Sequence, residues 1–336
     1  MITIDGSHGE GGGQIIRTSL TLSAITGKEV EIINIRANRS PPGLKMQHLT
    51  AVKAVRSICR GTLEGAEEGS KRLVFKPGKI IGGKYDFNIG TAGSVTLVAQ
   101  TVLPILLVAE KKSEIRITGG THVLKSPGFD YFHNVFIPAI KLMGAKVESE
   151  MIKPGYYPKG GGEIRITAEP SELRGIETWP KDEHVTAVIR LANLPLSIAM
   201  REKKVLIENE IEHVSIREEE TFSPGNSVTL WKSFRGSYVP GERGKRAEVV
   251  VKEAIDELMK ETGDLDRHLA DQILIYGILA EGKTEFKTSE ITDHFKTNAD
   301  IISHFHERRT NLKNLSALER ISNTKIKYEN NEVTIQ

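Results

Sequence analysis

The feature that most constrains the fold is an order of strands and helices that returns along the chain. In residues 1–78, a short alternating strand and a glycine-rich turn lead into an apolar helix, a strand, a loop, a second helix and two strands. The same order returns in residues 85–170, and a third, divided copy comprises residues 174–180 and 269–336. Apolar residues recur with the period of a strand or of a helix in these segments. Each unit therefore reads β-α-β-α-β-β, and the chain is predicted to be α+β with three such repeats.

The helices of each unit are expected to cover one face of a small sheet. Three such helical faces can bury one another, which predicts a helix-lined centre walled by sheets. Residues 181–266 interrupt the third unit with strands and helices in a different order. We interpret them as a smaller inserted α+β domain, and residues 1–180 and 267–336 as the large three-repeat domain. The basic loop at 237–246 either covers a site on the large domain or is a solvated hairpin loop.

Length and charge limit the class of protein. The 336 residues can bury a sizeable core, in two domains or in one elaborated domain. Because 46 Lys and Arg nearly balance 44 Asp and Glu, the net charge of +2 requires any nucleic-acid contact to be a local patch. The single Cys59 cannot form an internal disulfide, so a cytoplasmic location is expected. The longest apolar run, 102–109, is too short to span a bilayer, so no membrane association is expected.

The repeat also aligns the connections between elements. Segments 37–43, 119–128 and 291–298 each lie between a second strand and a second helix, and the glycine corners 9–13 and 91–94 are equivalent to each other. Residues far apart in the sequence can therefore meet.

The corner at 9–13 has the chemistry of a phosphate site. Its three consecutive glycines precede a helix, so backbone N–H groups and the helix dipole can face an anion. Glu10 beside such a cradle predicts a divalent cation, and Arg17, one turn into the helix, can grip a second phosphate. The alternative is a glycine-rich turn before a surface helix.

Three further segments carry candidate chemistry. His294, in the polar 291–298 loop, could attack phosphorus as a neutral imidazole, or it could be an ordinary surface or core histidine. Basic residues between 34 and 48 could bind a terminal phosphate, or they could form a solvated charged loop. Asp271 and Gln272 could likewise be polar ligands or plain first-turn residues of a helix.

Six motifs together resemble one family, RNA 3′-terminal phosphate cyclase, in order and across essentially the whole chain. They are HGEGGGQIIR, IRANRSPPGLKMQHLTAVKA, GTAGSVTLVAQTVLP, YYPKGGGEI, HLADQ and DHFKTN. The resemblance implies three βαβαββ units, like the C-terminal domain of a translation initiation factor, with a small inserted α+β domain.

The resemblance also implies a reaction and its residues. ATP and Mg²⁺ or Mn²⁺ would support conversion of an RNA 3′-phosphate to a 2′,3′-cyclic phosphate, through a covalent His294–AMP and an adenylylated RNA end. Glu10 would bind the metal. Residues implied for the RNA 3′-phosphate are Arg17, Arg39, Gln47 and His48, and Arg36 is less securely included. Residues implied for ATP are Gln100, Pro127, Tyr238, His268, Leu269, Ala270, Asp271 and Gln272, with Pro127 and Tyr238 on either side of the adenine.

Two other classes of protein stay open at this point. A non-catalytic relative that serves ribosome assembly would lack the nucleophilic histidine, whereas this chain has His294. An enolpyruvyl transferase would need two large lobes of comparable size, whereas the predicted insert is small. RNA and ATP are the predicted partners, and the sequence leaves open whether the chain forms a homo-oligomer.

Overall fold

The computed structural model describes residues 1–305, 320–321 and 324–336, and its folded parts are four small sheets and the helices packed on them. The first sheet contains β1 (Ile2–Asp5), β2 (Val30–Ile33), β3 (Thr62–Glu64) and β4 (Leu73–Lys76), in the order β1-β2-β4-β3. Strands β1 and β2 are parallel, and the other pairs are antiparallel. Helices α1 (Gly13–Thr26) and α2 (Met46–Cys59) belong to the same stretch of chain.

The second sheet has the same arrangement. Its strands are β5 (Lys84–Asn88), β6 (Ser113–Gly119), β7 (Lys146–Lys153) and β8 (Gly162–Glu169), in the order β5-β6-β8-β7 with only β5 and β6 parallel. The helices of this stretch are α3 (Val95–Leu107), α4 (Phe129–Tyr131) and α5 (Ile137–Leu142), and a π-helical turn (Phe132–Phe136) joins the last two.

The third sheet has a different strand order. It contains β9 (Thr186–Ala192), β10 (His213–Glu219), β11 (Gly225–Lys232) and β12 (Arg235–Pro240), in the order β10-β9-β11-β12. Helices α6 (Ser197–Glu208) and α7 (Ala247–Lys260) pack on it. Their apolar residues form a core cluster confined to residues 187–258, distinct from the larger cluster that the other sheets share.

The last stretch supplies α8 (Arg267–Leu279), β13 (Thr284–Lys287), α9 (Asp293–His304), β14 (Ile326–Glu329) and β15 (Glu332–Ile335). Its three strands are antiparallel, in the order β13-β15-β14. The strand predicted at 174–180 is wrong, because that segment makes only an isolated bridge from Arg174 to Glu281. The backbone N–H of Glu285 instead donates to the carbonyl oxygen of Ile176, and the indole N–H of Trp179 donates to the carbonyl oxygen of Glu285. A side-chain hydrogen bond therefore replaces part of the backbone pairing between strands.

Helix α1 lies at the centre of the larger core. It packs against α2, α3 and α9, and most of its residues are buried. The sequence predicted one apolar face, but three helical neighbours bury the polar positions as well. The buried hydroxyl of Thr21 is satisfied, since it donates to the carbonyl oxygens of Arg17 or Thr101, at 2.9 and 2.7 Å. The mixed α/β architecture and the central helices agree with the predicted α+β class, and no helix within the described residues is long and apolar enough to cross a membrane.

Candidate active site

The first glycine corner, residues 9–13, lies between β1 and α1 and includes the first residue of the helix. Gly9 and Gly11 have φ values of 54° and 59°, which glycine adopts without strain. A Cβ atom on Gly9 would lie 2.2 Å from Oγ1 of Thr297. Because no larger residue could approach so closely, the glycines allow the corner to pack directly against α9.

Helix α9 begins earlier than the sequence predicted. The hydroxyl of Thr292 accepts a hydrogen bond from the backbone N–H of Phe295, at 3.1 Å, and so caps the helix. The predicted 291–298 loop is therefore wrong from Asp293 onward, and His294 stands in the first helical turn. A helix fixes the direction of this side chain more firmly than a loop would.

The imidazole of His294 faces Glu10. Nε2 of His294 lies 3.5 Å from Oε2 of Glu10, whereas the sequence neighbour Asp293 pairs with Lys296. Half of the His294 side chain is exposed, but only 8% of the Glu10 side chain is. Burial lowers the pKa of His294, and the charge of Glu10 opposes this shift. A histidine with a lowered pKa is neutral at physiological pH, the state in which a ring nitrogen can attack an electrophile.

Glu10 has one oxygen that suits a cation. Its Oε2 accepts a hydrogen bond from Nη2 of Arg39, whereas its Oε1 is buried without a hydrogen-bond partner. An unpaired buried carboxylate oxygen is costly, and Mg²⁺ commonly uses one or two carboxylates together with substrate phosphates and water. Within the described part of the chain, no group of three or more His, Cys, Asp or Glu could hold a metal. Glu10 therefore fits a cation that is shared with a bound phosphate.

Arg17 and His48 converge over the first residue of α1. A Cβ atom on Gly13 would lie 2.4 Å from Nε2 of His48 and 3.3 Å from Nη1 of Arg17. Burial, reinforced by the charges of Arg17 and other nearby cations, lowers the pKa of His48 to about 3. Its Nδ1 accepts a hydrogen bond from the N–H of Lys45, at 3.2 Å, so the neutral ring carries its proton on Nε2. Burial also lowers the pKa of Arg17 to about 10, which leaves it charged. Two donors thus meet where an anion could bind.

The remaining basic residues have different settings. Arg39 reaches Glu10 from a half-exposed position. Arg36 is buried and donates to the carbonyl oxygens of Pro41 and Gly43, at 3.0 and 2.8 Å, so it holds the loop. The side-chain Oε1 of Gln47 accepts from the N–H of Ser94, at 3.1 Å, and so links this pocket to the second glycine corner.

The glutamines expected at ATP border a cavity beside Arg17. Nε2 of Gln100 donates to Oε1 of Gln272, at 2.6 Å. Both line a small cavity of about 30 Å³ together with Arg17 and Asn298. Burial raises the pKa of nearby Asp271 to about 7, although the charges of His268 and Arg17 act in the opposite direction.

Residues 268–270 lie at the start of α8. His268 is exposed, and its charge lowers the pKa of His294 as well as that of Asp271. Leu269 and Ala270 have fully buried side chains, and their backbone N–H groups bind Asp266. These two residues therefore position the helix and offer no free donor.

Pro127 and Tyr238 are brought together by Gly128. A Cβ atom on Gly128 would lie 2.4 Å from Cε2 of Tyr238, so the ring packs on the backbone next to Pro127. The Pro127 carbonyl oxygen accepts from the hydroxyl of Thr96, at 2.7 Å. Tyr238 stands on β12, so the loop predicted at 237–246 is wrong for residues 237–240, which pair with β11.

Sequence reasoning missed a buried ionic network near Tyr238. Asp130 accepts from His122 Nε2 at 2.9 Å and from Arg190 Nε and Nη2 at 2.6 and 2.9 Å. Arg190 also pairs with Glu219, and the His122 ring lies 6.1 Å from that of Tyr238. Hydrogen bonds and charges from His122 and Arg190 hold the pKa of Asp130 far below its ordinary value, despite burial. No spacing in the sequence indicates these pairings, since Asp130 and Arg190 are 60 residues apart.

Asn298 is a second missed residue, although it lies within the DHFKTN motif. Its Nδ2 donates to the carbonyl oxygen of Asp271, at 2.9 Å, and its Oδ1 accepts from the hydroxyl of Thr18. Asn298 therefore joins α1, α8 and α9 beneath the site.

Comparisons with known proteins identify the family of the chain. The family model described as RNA 3′-terminal phosphate cyclase matches residues 8–312. Three relatives carry the name RNA 3′-terminal phosphate cyclase. That of Archaeoglobus fulgidus is 47% identical over 91% of this chain and 95% of its own. Those of Pyrobaculum aerophilum and Methanosarcina barkeri are 41% and 38% identical, over 90% and 96% of this chain and 92% and 99% of theirs.

A solved EPSP synthase from Acinetobacter baumannii aligns over 96% of this chain and 44% of its own, with 13% identity and a TM-score of 0.40, too weak to bear on function. The family match extends over most of the sequence and includes the first glycine corner, the basic residues between 34 and 48, and His294. The chain belongs to the RNA 3′-terminal phosphate cyclase family.

Proposed function

We propose that this chain converts RNA 3′-terminal phosphates to 2′,3′-cyclic phosphates with ATP, through an adenylylated His294. The observation that carries the proposal is the position of His294, half-exposed and 3.5 Å from Glu10 beside the glycine corner. A structural histidine would be expected to have both ring nitrogens satisfied within the fold. The names of the relatives support the substrate and the reaction.

In the proposed first step, the lone pair of the neutral imidazole attacks the α-phosphorus of ATP. A P–N bond forms, the bond from the α-phosphorus to the bridging oxygen breaks, and pyrophosphate leaves with the electron pair. The lowered pKa of His294 supports this step, because protonation would remove the attacking lone pair. In this scheme Glu10 faces the ring and holds its orientation.

In the second and third steps, the RNA end is activated and closed. An oxygen of the 3′-phosphate attacks the phosphorus of the histidine-linked AMP, and the P–N bond breaks. The neighbouring 2′-hydroxyl then attacks the RNA phosphorus, loses its proton and expels AMP. A phosphate monoester lacks a good leaving group until AMP is attached, and the adjacent hydroxyl makes ring closure effectively unimolecular.

The RNA 3′-phosphate is proposed to bind four residues, Arg17, Arg39, Gln47 and His48. The support is the convergence of Arg17 and His48 over Gly13, where the absence of a side chain lets both donors approach the start of α1 closely. His48 donates from Nε2 without a charge, and Arg17 supplies the charge. Gln47 adds an amide group held by Ser94.

Glu10 is proposed to hold Mg²⁺ or Mn²⁺ through its unpaired Oε1. The ion would neutralise phosphate charge during nucleotidyl transfer. Gln100 and residues 268–272 are proposed to border the nucleotide, and Pro127 and Tyr238 to enclose its adenine. A chain of hydrogen bonds supports one continuous site: the N–H of Ser94 donates to Gln47, the hydroxyls of Ser94 and Thr96 are bonded, and Thr96 donates to the carbonyl oxygen of Pro127.

The finer architecture is also a proposal. We propose three βαβαββ repeats in residues 1–180 and 267–336, with residues 181–266 inserted as a smaller domain. The matching strand orders of the first two sheets and the separate apolar cluster of residues 187–258 support this division. The last sheet has the same order without its first strand.

The test is cyclisation of a 3′-phosphorylated oligoribonucleotide with ATP and Mg²⁺. The product should resist alkaline phosphatase, and mild acid should restore its sensitivity. His294→Ala should abolish product, whereas His304→Ala, an exposed histidine in the last turn of the same helix, should leave the rate unchanged. A wild-type protein that binds this RNA but never cyclises it would instead favour a non-catalytic RNA-binding role.

A further inference from the structure

The loop at 155–161 presents an aromatic ring that the fold does not use. Tyr157 is 76% exposed, whereas its neighbour Tyr156 is buried and stacks on His122 at 5.4 Å between ring centroids. Tyr156 also forms bridges with His122 and Gly160. The loop is therefore anchored, and the exposure of Tyr157 is a consequence of its fixed backbone.

A second exposed aromatic ring lies against the same loop. Phe222 is 60% exposed, and a Cβ atom on Gly161 would lie 2.5 Å from its Cδ2 atom. The backbone N–H of Lys159 donates to the hydroxyl of Ser223, at 3.1 Å, which fixes the two segments side by side. A single exposed apolar side chain is ordinary on a protein surface, but two aromatic rings on touching segments form a patch.

The patch is also positively charged. Nζ of Lys153 lies 3.9 Å from the centroid of the Phe222 ring, and Lys159 is exposed next to Tyr157. Among the residues that the structure describes, neither lysine forms an ion pair, so both charges are available to an anion. Aromatic rings together with unpaired cations are the recurring means of binding single-stranded nucleic acid.

The patch adjoins the proposed terminal-phosphate pocket. A Cβ atom on Gly160 would lie 2.9 Å from Cα of Ala92, in the second glycine corner. In the same corner, Gly93 packs against the side chain of Gln47, and the backbone N–H of Ser94 donates to Oε1 of Gln47. The corner at 91–94 thus lies between the 155–161 loop and the pocket that contains Gln47. Because four residues span no more than about 3.6 Å each, the corner separates the two by at most ~14 Å.

We infer that the surface formed by Tyr157, Phe222, Lys153 and Lys159 binds the single-stranded RNA that lies 5′ of the terminal dinucleotide. A base stacks on Tyr157, and the two lysines contact backbone phosphates. The inference rests on the proposed function, which places the terminal phosphate beside Gln47. The inferred surface also explains how a chain with a net charge of only +2 holds a polyanion, because the positive charge of the two lysines is concentrated where the RNA binds.

Two 3′-phosphorylated substrates test the inference in the full-length protein. A dinucleotide fills the terminal pocket alone, whereas a longer unstructured oligonucleotide also crosses the patch. Tyr157→Ala should raise KM for the longer RNA about 10-fold or more, from the loss of one stacked base. KM for the dinucleotide and the rate of self-adenylation should stay as in the wild type. Tyr157→Phe should restore the affinity, and Met200→Ala, an exposed apolar residue on α6, is the matched control.

Binding measured without catalysis separates this inference from the proposed function. Fluorescence anisotropy of labelled single-stranded RNA should show weaker binding to Tyr157→Ala. Lys159→Gln should reduce the slope of log affinity against log salt concentration by about 0.7, whereas Lys79→Gln, an exposed lysine elsewhere, should not. Unchanged binding by Tyr157→Ala, or an equal loss with the dinucleotide, would overturn the inference even if the protein cyclises RNA. Failure of the wild type to self-adenylate would overturn the proposed function, whatever the binding result.

Discussion

A methyl group added at Gly13 should block the RNA end while leaving the protein folded. Gly13 is the first residue of α1 and has no positive φ, so alanine is compatible with its backbone and favours the helix by up to about 1 kcal/mol. The new Cβ would lie 2.4 Å from Nε2 of His48, about 1 Å inside ordinary contact. Overpacking of this kind costs about 1–3 kcal/mol, which the gain in helix stability partly offsets.

The imidazole has little room to retreat. His48 is only 6% exposed, and its Nδ1 accepts from Lys45 on the opposite side of the ring. The methyl group would also lie 3.3 Å from Nη1 of Arg17, so both proposed phosphate donors are disturbed. A displacement of about 1 Å can slow an enzymatic step about 100-fold. We expect a loss of this size in the RNA-dependent steps.

Single-turnover measurements can resolve the affected step. Gly13→Ala protein, adenylated beforehand, should transfer AMP to 3′-phosphorylated RNA about 100-fold more slowly than the wild type, while self-adenylation changes only a few-fold. Gly83→Ala is the matched control, because its new Cβ would meet only Tyr85, at 3.9 Å. A folded Gly13→Ala protein that transfers AMP at the wild-type rate would refute the assignment of the phosphate pocket.

Three further substitutions test other parts of the account. Asp130→Ala leaves the buried Arg190 without its bidentate partner and should lower the free energy of unfolding in urea by about 3–5 kcal/mol, and a loss below about 1 kcal/mol would contradict the network. Burial raises the pKa of Glu202 from 4.5 to about 7 in the folded state. Its contribution to the free energy of unfolding is therefore full below pH 4.5 and is lost as the pH rises toward 7, by up to about 3 kcal/mol. Glu202→Gln should remove this pH dependence from the unfolding free energy, and an unchanged slope would contradict the shift. Arg39→Ala should slow cyclisation more than about 10-fold but self-adenylation only a few-fold, and equal effects on both rates would count against its role at the RNA end.

The first two sheets were predictable because each of their helices and strands carries its own apolar period. Helices α1, α2 and α3 lie where the sequence places them, and the loops at 37–43 and 119–128 connect the predicted strands and helices. The 174–180 segment failed because Trp179 bonds to the backbone through its side chain, which no period reveals. Strand β12 was missed because its pairing with β11 outweighs a sequence rich in glycine and proline.

Within the candidate site, the family resemblance proposed which residues act, whereas it gave little of their structural settings. The cap that places His294 in a helix was readable, because Thr292 followed by Asp293 is a helix-start signal. The contact between His294 and Glu10 spans 284 positions, and only the proposed equivalence of the corners suggested it. The network of His122, Asp130 and Arg190 had no signal, since it forms between segments without a common pattern.

Covalent labelling tests the central claim most directly. The wild-type protein is incubated with ATP labelled at the α-phosphate and Mg²⁺ or Mn²⁺, without RNA, and the denatured protein is assayed for bound label. We predict one labelled nucleotide, stable to alkali and released by acid as expected for a P–N bond, in the wild type and in His304→Ala but not in His294→Ala. Label that persists in His294→Ala, or is absent from a folded wild-type protein that binds ATP, would contradict the assignment of His294 as the nucleophile.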